Sequence, residues 1–87
     1  MITKVYTLQL PDGIHARPAT ALIRLVKQYK SEVRIQKGEK TVLVNSMLNI
    51  LGLMPRKGDV LKFNIVGEDE GETAEALDEF FTQMNHV

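Results

Sequence analysis

The sequence contains no cysteine and few aromatic residues, two tyrosines and three phenylalanines. The absence of cysteine excludes disulfide bonds, thiolate metal sites and cysteine nucleophiles, and it suits a reducing compartment. No apolar run approaches the roughly 20 residues that a membrane-spanning helix needs. The first residues alternate polar and apolar side chains, which is unlike a signal peptide. We therefore expect a cytoplasmic protein that does not insert into a membrane.

The chain also lacks net charge, because 11 Lys and Arg residues balance 11 Asp and Glu residues. Broad nucleic-acid binding usually needs a marked basic excess, and RNA-binding sheets need exposed aromatic side chains. The balance therefore argues against direct nucleic-acid binding. The charges are unevenly distributed, since every basic residue lies at or before Lys62 and seven acidic residues lie between Glu68 and Glu79. This leaves room for a local basic face that binds an acidic protein partner.

The 87 residues have the length of one domain, taken as residues 1–87, and the apolar content suffices for one modest core. Alternating patterns predict strands at residues 2–9, around Val33 and Ile35, at 40–44 and at 60–66. Helical spacing predicts helices at residues 16–29 and 73–84, with a further short helix after Ser46. Residues 37–40 are typical of a hairpin turn. The resulting order, β-α-β-β-α-β-α, predicts an α+β two-layer sandwich.

The most informative segment is residues 13–20, which read Gly-Ile-His-Ala-Arg-Pro-Ala-Thr. Gly13 permits a tight turn, and Pro18 suits the first turn of a helix because its missing N–H would have no partner there. His15 is thereby predicted to lie at a helix N-terminus, where free backbone N–H groups and the helix dipole attract phosphate. A lone histidine is usually an ordinary surface residue. These neighbours instead predict a nucleophile for phosphoryl transfer.

Residues 13–20 resemble the active-site segment of the histidine-containing phosphocarrier (HPr) family of the bacterial sugar phosphotransferase system. The resemblance extends over the whole chain, since the serine-led apolar segment 46–53 and the acidic C-terminal stretch fall where the family has them. It implies an open-faced two-layer β-sandwich, with a four-stranded antiparallel sheet and three helices on one face. It also implies that His15 accepts phosphate from phosphorylated enzyme I and donates it to sugar-specific enzyme II A components. No cofactor is implied beyond the covalent phosphoryl group on His15.

The sequence offers one nucleophile but no paired carboxylates and no cluster of metal ligands that would activate water. We therefore predict a carrier protein without a metal rather than a free-standing enzyme. An acyl or peptidyl carrier is an alternative of another class, but Asn45-Ser46-Met47 does not match the Asp-Ser-Leu setting of its attachment serine, and the predicted strands are too many. Detection of a phosphopantetheine adduct would identify an acyl carrier, and salt-dependent RNA retention would identify a nucleic-acid binder.

Arg17 carries a positive charge in the first turn of the predicted helix, where the helix dipole makes it slightly unfavourable. A local conflict of this kind is typical of a functional site. The Arg17 guanidinium can bind phosphate oxygens, and the backbone N–H groups of Ala16 and Arg17 are expected to donate hydrogen bonds to the phosphate.

The polar stripe of the same helix consists of Arg17, Thr20, Arg24 and Lys27. Such stripes are usually solvated faces, but the start of this one beside His15 favours a docking surface.

Ser46 is predicted to cap a short helix, as serine commonly does. The segment that follows contains six apolar residues, more than the buried stripe of a short helix accommodates: Met47, Leu48, Ile50, Leu51, Leu53 and Met54. Some of them must therefore be exposed, and an exposed patch with flexible methionines is typical of a partner surface. Met47, Leu48 and Leu51 are the candidate contacts.

The resemblance also suggests a regulatory role for Ser46. In related proteins of low-GC Gram-positive bacteria, the matching serine is phosphorylated by a dedicated kinase. HPr kinase/phosphorylase and a catabolite-control transcription factor are therefore further expected partners. A helix N-terminus tolerates phosphate, so phosphorylation of Ser46 should obstruct docking by its charge rather than unfold the domain.

Three residues depart from the family pattern. Asp12 stands where a small hydroxyl residue is common, and it would bring a carboxylate near the phosphate on His15. Asn45 replaces a frequent basic residue, and Asn49 replaces a frequent glycine. His15 argues for transfer competence, but Asp12 and Asn45 leave open the alternative of an HPr-like regulatory paralogue that acts mainly in catabolite repression or nitrogen-linked signalling. His86 is assigned no role.

Overall fold

The computed structural model describes residues 1–85, so His86 lies outside the described residues. The strands are β1 (Ile2–Thr7), β2 (Glu32–Lys37), β3 (Lys40–Leu43) and β4 (Val60–Val66), and the helices are α1 (Ala16–Lys27), α2 (Met47–Gly52) and α3 (Glu70–Met84). Their order confirms the predicted succession β-α-β-β-α-β-α. None of the helices within residues 1–85 is long and apolar enough to cross a bilayer.

The four strands form one antiparallel sheet in the order β1-β4-β2-β3. The hairpin between β2 and β3 pairs Lys37 with Lys40, and Gly38 between them has a φ of +60°. Leu61, Phe63 and Ile65 alternate along β4 and are fully buried. They pack with Leu22 of α1 and Leu77 of α3 in the single core cluster of the described residues. The predicted α+β sandwich, with its helices on one face of the sheet, is confirmed.

The ends of β1, α1 and α3 differ from the sequence prediction by two or three residues, and β3 ends at Leu43, one residue before its predicted end. β1 ends at Thr7 rather than at residue 9 because the backbone of Leu8 bonds with the turn after α2, through Asp59 O and Gly58 N–H. α1 ends at Lys27 rather than at residue 29, where the N–H groups of residues 28 and 29 bond to carbonyls three residues back. α3 begins at Glu70, three residues early, where acidic residues suit a helix start. Asp69 occupies the N-cap position, but its carboxylate accepts from Lys30 N and Ser31 Oγ and makes no capping bond to the helix.

The inward face of β1 carries a polar cluster that the sequence pattern does not reveal. Lys4 Nζ lies 2.9 Å from Asp78 Oδ2 of α3, and the Tyr6 hydroxyl donates to Asp78 Oδ1 at 2.6 Å. The hydrogen bonds from Tyr6 and Lys4 lower the pKa of Asp78, whereas burial and the Asp78 carboxylate raise the pKa of Tyr6. Since β1 is an edge strand, an inward-pointing lysine also discourages pairing with another chain.

Candidate functional site

His15 lies immediately before the first residue of α1. Its backbone is extended (φ −110°, ψ −164°), and its imidazole makes no capping hydrogen bond to the helix. The side chain is exposed, while the His15 carbonyl accepts a hydrogen bond from Ala19 N at 3.0 Å. The first helical hydrogen bond is therefore made by the His15 backbone, and the exposed imidazole has no hydrogen-bond partner within residues 1–85.

The first turn of α1 offers two donors beside His15. Within residues 1–85, the backbone N–H groups of Ala16 and Arg17 have no hydrogen-bond partner, and Pro18 has no N–H to contribute. No acidic residue lies in this turn. The exposed Arg17 makes no ion pair with any residue of the described chain. An anion covalently attached to His15 would thus meet free donors and an uncompensated positive charge.

Gly13 and Ile14 fix the position of this helix start. Gly13 has a φ of +68°, and its N–H donates to Leu10 O at 3.0 Å. Ile14 is buried, and its N–H donates to Pro55 O at 3.2 Å. A Cβ added to Gly13 would overlap that same Pro55 carbonyl oxygen. The segment before His15 therefore lies directly on the backbone of Pro55, a contact that the sequence did not predict.

The chain around Pro55, here called the 53–59 loop, is held by one lysine of the sheet. Lys37 Nζ donates to Leu53 O at 3.0 Å and to Met54 O at 2.9 Å, and it lies 3.1 Å from Asp59 Oδ2. Asp59 Oδ2 also accepts from Arg56 N at 2.8 Å. The Arg56 N–H and the Lys37 ammonium together lower the pKa of Asp59. Nothing in the spacing of Lys37 and Asp59 links them to residues 13–20, so the sequence alone indicates no role for either residue.

The predicted polar stripe of α1 lies beside α2. Arg17, Arg24 and Lys27 are exposed and Thr20 is half-buried. Between the two helices lies a shallow groove of about 340 Å³, lined by Thr20, Ile23, Arg24, Lys27, Asn45, Ser46 and Met47. The groove therefore joins candidate residues of both helices, because Thr20, Arg24 and Lys27 of the stripe line it together with Ser46 and Met47.

Ser46 is the N-cap of α2, as predicted. Its Oγ accepts from Asn49 N at 3.1 Å, and its side chain is half-buried. Asn49 Nδ2 donates to Leu43 O at 3.1 Å and to Asn45 Oδ1 at 3.0 Å. The two asparagines that depart from the family pattern therefore bond to each other and attach the start of α2 to the end of β3.

The prediction that part of the apolar segment after Ser46 is exposed is confirmed. Leu48 is 84% exposed and Met54 58%, whereas Ile50 is fully buried. Met47 is also exposed, and Leu51 is half-buried. α2 thus buries one side against the core and presents leucine and methionine side chains to solvent.

The remaining candidates add little to this site. Asp12 is exposed in the turn before Gly13, and no ion pair or hydrogen bond of residues 1–85 joins it to Arg17 or His15. The same residues contain no group of three or more His, Cys, Asp or Glu side chains placed to hold a metal ion.

Comparison with known proteins supports the resemblance of this chain to the HPr family. The family profile described as "PTS HPr component phosphorylation site" matches residues 2–83. The phosphocarrier protein HPr of Lysinibacillus sphaericus is 34% identical over 84 residues, which cover 97% of this chain and 96% of that protein. The HPr-like protein Crh of Halalkalibacterium halodurans is 31% identical over 77 residues, which cover 88% of this chain and 92% of that protein.

The fold leads to the same family. The crystal structure of HPr-C-His from Thermoanaerobacter tengcongensis has a TM-score of 0.92 to this chain at 26% identity, and the match covers all of this chain and 98% of that one. The matched region includes the exposed histidine at the start of α1 and the short helix capped by Ser46. This chain belongs to the HPr family, the phosphocarrier proteins of the phosphotransferase system.

Proposed function

We propose that His15 carries a phosphoryl group in the cytoplasm, accepting it from phosphorylated enzyme I and passing it to sugar-specific enzyme II A components. The observation that supports this most strongly is the exposed imidazole at the start of α1, beside the free N–H groups of Ala16 and Arg17. Membership of the HPr family supports the same chemistry.

The transfer step needs a nucleophile and a site that holds charge. The unprotonated imidazole nitrogen donates its lone pair to phosphorus while the bond between phosphorus and the donor's leaving group breaks. The N–H groups of Ala16 and Arg17 and the Arg17 guanidinium stabilise the phosphoryl oxygens. Transfer to the acceptor reverses this step, with the His15 nitrogen as the leaving group. In the part of the chain described, no cluster of three or more potential metal ligands is placed to activate water against the phosphoryl group.

The proposed partner surface combines the stripe and the exposed side of α2. Arg17, Arg24 and Lys27 have no ion-pair partners within residues 1–85 and are free to meet acidic groups. Thr20 and the apolar side chains of Met47, Leu48 and Leu51 complete a contact area beside His15. One surface of this kind serves donor and acceptor in turn, because the phosphoryl group has to reach both at the same nitrogen.

Reconstituted transfer tests this proposal. The protein incubated with labelled phosphoenolpyruvate and enzyme I is expected to gain an acid-labile, alkali-stable label. When the labelled protein is separated from the reagents and mixed with enzyme II A components, the label should move to at least one of them. Label that leaves only as inorganic phosphate would contradict carriage. A regulatory paralogue acting in catabolite repression or nitrogen-linked signalling would take up label without delivering it.

The Crh relative and the environment of Ser46 favour a second role in catabolite regulation. We infer that HPr kinase/phosphorylase phosphorylates Ser46 and that the modified form binds a catabolite-control transcription factor. Ser46 Oγ already caps α2, and the exposed Met47 and Leu48 follow it directly. A phosphate there would place about two negative charges beside the stripe of α1 without breaking the helix.

A pair of Ser46 variants separates charge from capping. Ser46→Asp is expected to keep the stability of the wild type, because aspartate caps as well as serine, and to slow phosphorylation of His15 about tenfold by weakening docking. Ser46→Ala should lose about 1 kcal/mol of unfolding free energy and keep the wild-type transfer rate. Thermal unfolding and initial transfer rates measure both effects. Equal transfer rates for the aspartate and alanine variants would refute regulation by charge at Ser46.

A further inference from the structure

The turn after α2 contains an unusual backbone conformation. Met54 has a φ of +49°, a region that residues other than glycine rarely occupy. Pro55 follows and has no N–H, so it cannot donate the second hydrogen bond that commonly closes a helix end of this type. The Met54 N–H donates to Leu51 O at 2.9 Å, and the Ile50 carbonyl accepts from the nearer Leu53 N–H at 3.1 Å. The local sequence therefore disfavours the conformation that the 53–59 loop adopts.

Lys37 adds two side-chain hydrogen bonds to this turn. Its ammonium donates to the carbonyl oxygens of Leu53 and Met54, where the negative end of the α2 dipole also favours a cation. The ion pair with Asp59, which also accepts from Arg56 N, connects both ends of the loop to the same ammonium. The Lys37 and Asp59 side chains are 28% and 27% exposed, so these contacts are partly shielded from water. A strained residue persists when such contacts hold it from several sides.

The contacts of Lys37 with the 53–59 loop also affect the start of α1, where His15 lies. The Pro55 carbonyl lies next to the two residues whose carbonyls Lys37 binds, and it accepts the hydrogen bond from Ile14 N. Gly13 lies against the same carbonyl so closely that a side chain does not fit. A movement of the 53–59 loop would therefore shift Ile14, the residue before His15.

We propose that Lys37 is a positioning residue for His15, acting through the 53–59 loop by holding Met54 in its left-handed conformation and Pro55 O against Ile14. Its effect on transfer rests on the proposed function of His15. The effect of Lys37 on the backbone is independent of that function, and the effects on transfer and on the backbone are measured separately.

Backbone amide hydrogen exchange tests whether Lys37 holds the backbone of Ile14 in place. Lys37→Met keeps most of the aliphatic stem but removes the ammonium, and it is expected to accelerate exchange of the Ile14 N–H about tenfold relative to the amides of β4. Asp59→Asn, a milder change, should act in the same direction with a smaller effect. The matched control is Lys4→Met, which removes a comparable ion pair between β1 and α3, elements that carry no site residue. It should leave the ratio of Ile14 exchange to β4 exchange at the wild-type value.

Glycine at position 54 tests whether Lys37 acts by holding the left-handed conformation of Met54. Glycine adopts a positive φ without strain, so Met54→Gly should make the contacts of Lys37 with the 53–59 loop unnecessary. The double variant Lys37→Met, Met54→Gly is expected to return Ile14 exchange to within about threefold of the wild type. The proposal is overturned if Lys37→Met leaves the Ile14 ratio unchanged, if Lys4→Met raises it equally, or if the glycine does not restore it.

Phosphoryl transfer provides the functional readout. At saturating phosphorylated enzyme I, Lys37→Met is expected to lower the turnover rate about tenfold, because small misplacements of a nucleophile are costly. KM should stay near the wild-type value, because the docking stripe is unaltered. Unchanged turnover together with faster Ile14 exchange would refute the functional part of the proposal. If the wild type gains no label, the proposed function of His15 fails, and the exchange ratios still decide whether Lys37 positions the segment.

Discussion

Replacing Gly13 with alanine is expected to lower the free energy of unfolding by about 3 kcal/mol. One part of this loss comes from the left-handed conformation, since Gly13 has a φ of +68° and alanine disfavours that region. The larger part comes from overlap of the new Cβ with the backbone of Pro55 and Arg56, which cannot rotate away as a side chain would. Chemical denaturation measures the loss directly.

The same change should also slow phosphorylation of His15 in the molecules that remain folded. Relief of the overlap has to separate the 53–59 loop from residues 13–14, and this moves His15 relative to the N–H groups of Ala16 and Arg17. Gly38→Ala is the matched control, because Gly38 has a φ of +60° but no atom lies within 4 Å of its added Cβ. It should cost only about 1 kcal/mol and leave transfer unchanged. Equal losses of stability for the two variants would show that the contact with Pro55 contributes nothing.

Arg17→Ala is expected to slow phosphoryl transfer at His15 by about ten- to a hundredfold, the value of one or two charge-assisted hydrogen bonds. Its effect on stability should have the opposite sign. Removing a positive charge from the first turn of α1 relieves an unfavourable interaction with the helix dipole, worth about 0.5 kcal/mol. Transfer rates and thermal unfolding of the same preparation measure both effects.

Arg34→Ala is the control for Arg17. Arg34 is an exposed arginine of β2 whose guanidinium lies 2.9 Å from Glu32 Oε1, on a strand that carries none of the proposed contact residues. Its loss should leave transfer unchanged and alter stability by less than about 1 kcal/mol. A wild-type transfer rate in Arg17→Ala, or an equal loss in Arg34→Ala, would remove Arg17 from the proposed site.

Local sequence patterns predicted most of the fold, because each depends on neighbouring residues. Alternation along residues 60–66 predicted the buried positions of β4, and the serine before an apolar segment predicted the start of α2. The two-residue turn after Lys37 was predicted from the sequence as well. The element ends at Thr7 and Lys27 were wrong by two residues, because the bonds that end these elements come from backbone geometry and from a distant turn.

The candidate site was predictable only where its parts adjoin in sequence. His15, Ala16 and Arg17 belong to one segment, and the helix start explains their arrangement. The support beneath them was not predictable, because Pro55 and Lys37 come from elements that only the folded sheet and α2 bring together. The contact between Lys4 and Asp78 was not predicted for a similar reason, since the two residues lie 74 positions apart in the sequence.

The most direct test of the account is where the phosphoryl group resides. The chain has two histidines, so His15→Ala and His86→Ala form a matched pair of variants. After incubation with labelled phosphoenolpyruvate and enzyme I, His86→Ala should gain the acid-labile label to the same extent as the wild type, and His15→Ala should gain none. Label on the His15→Ala protein, or its absence from wild type and His86→Ala alike, would contradict the central claim.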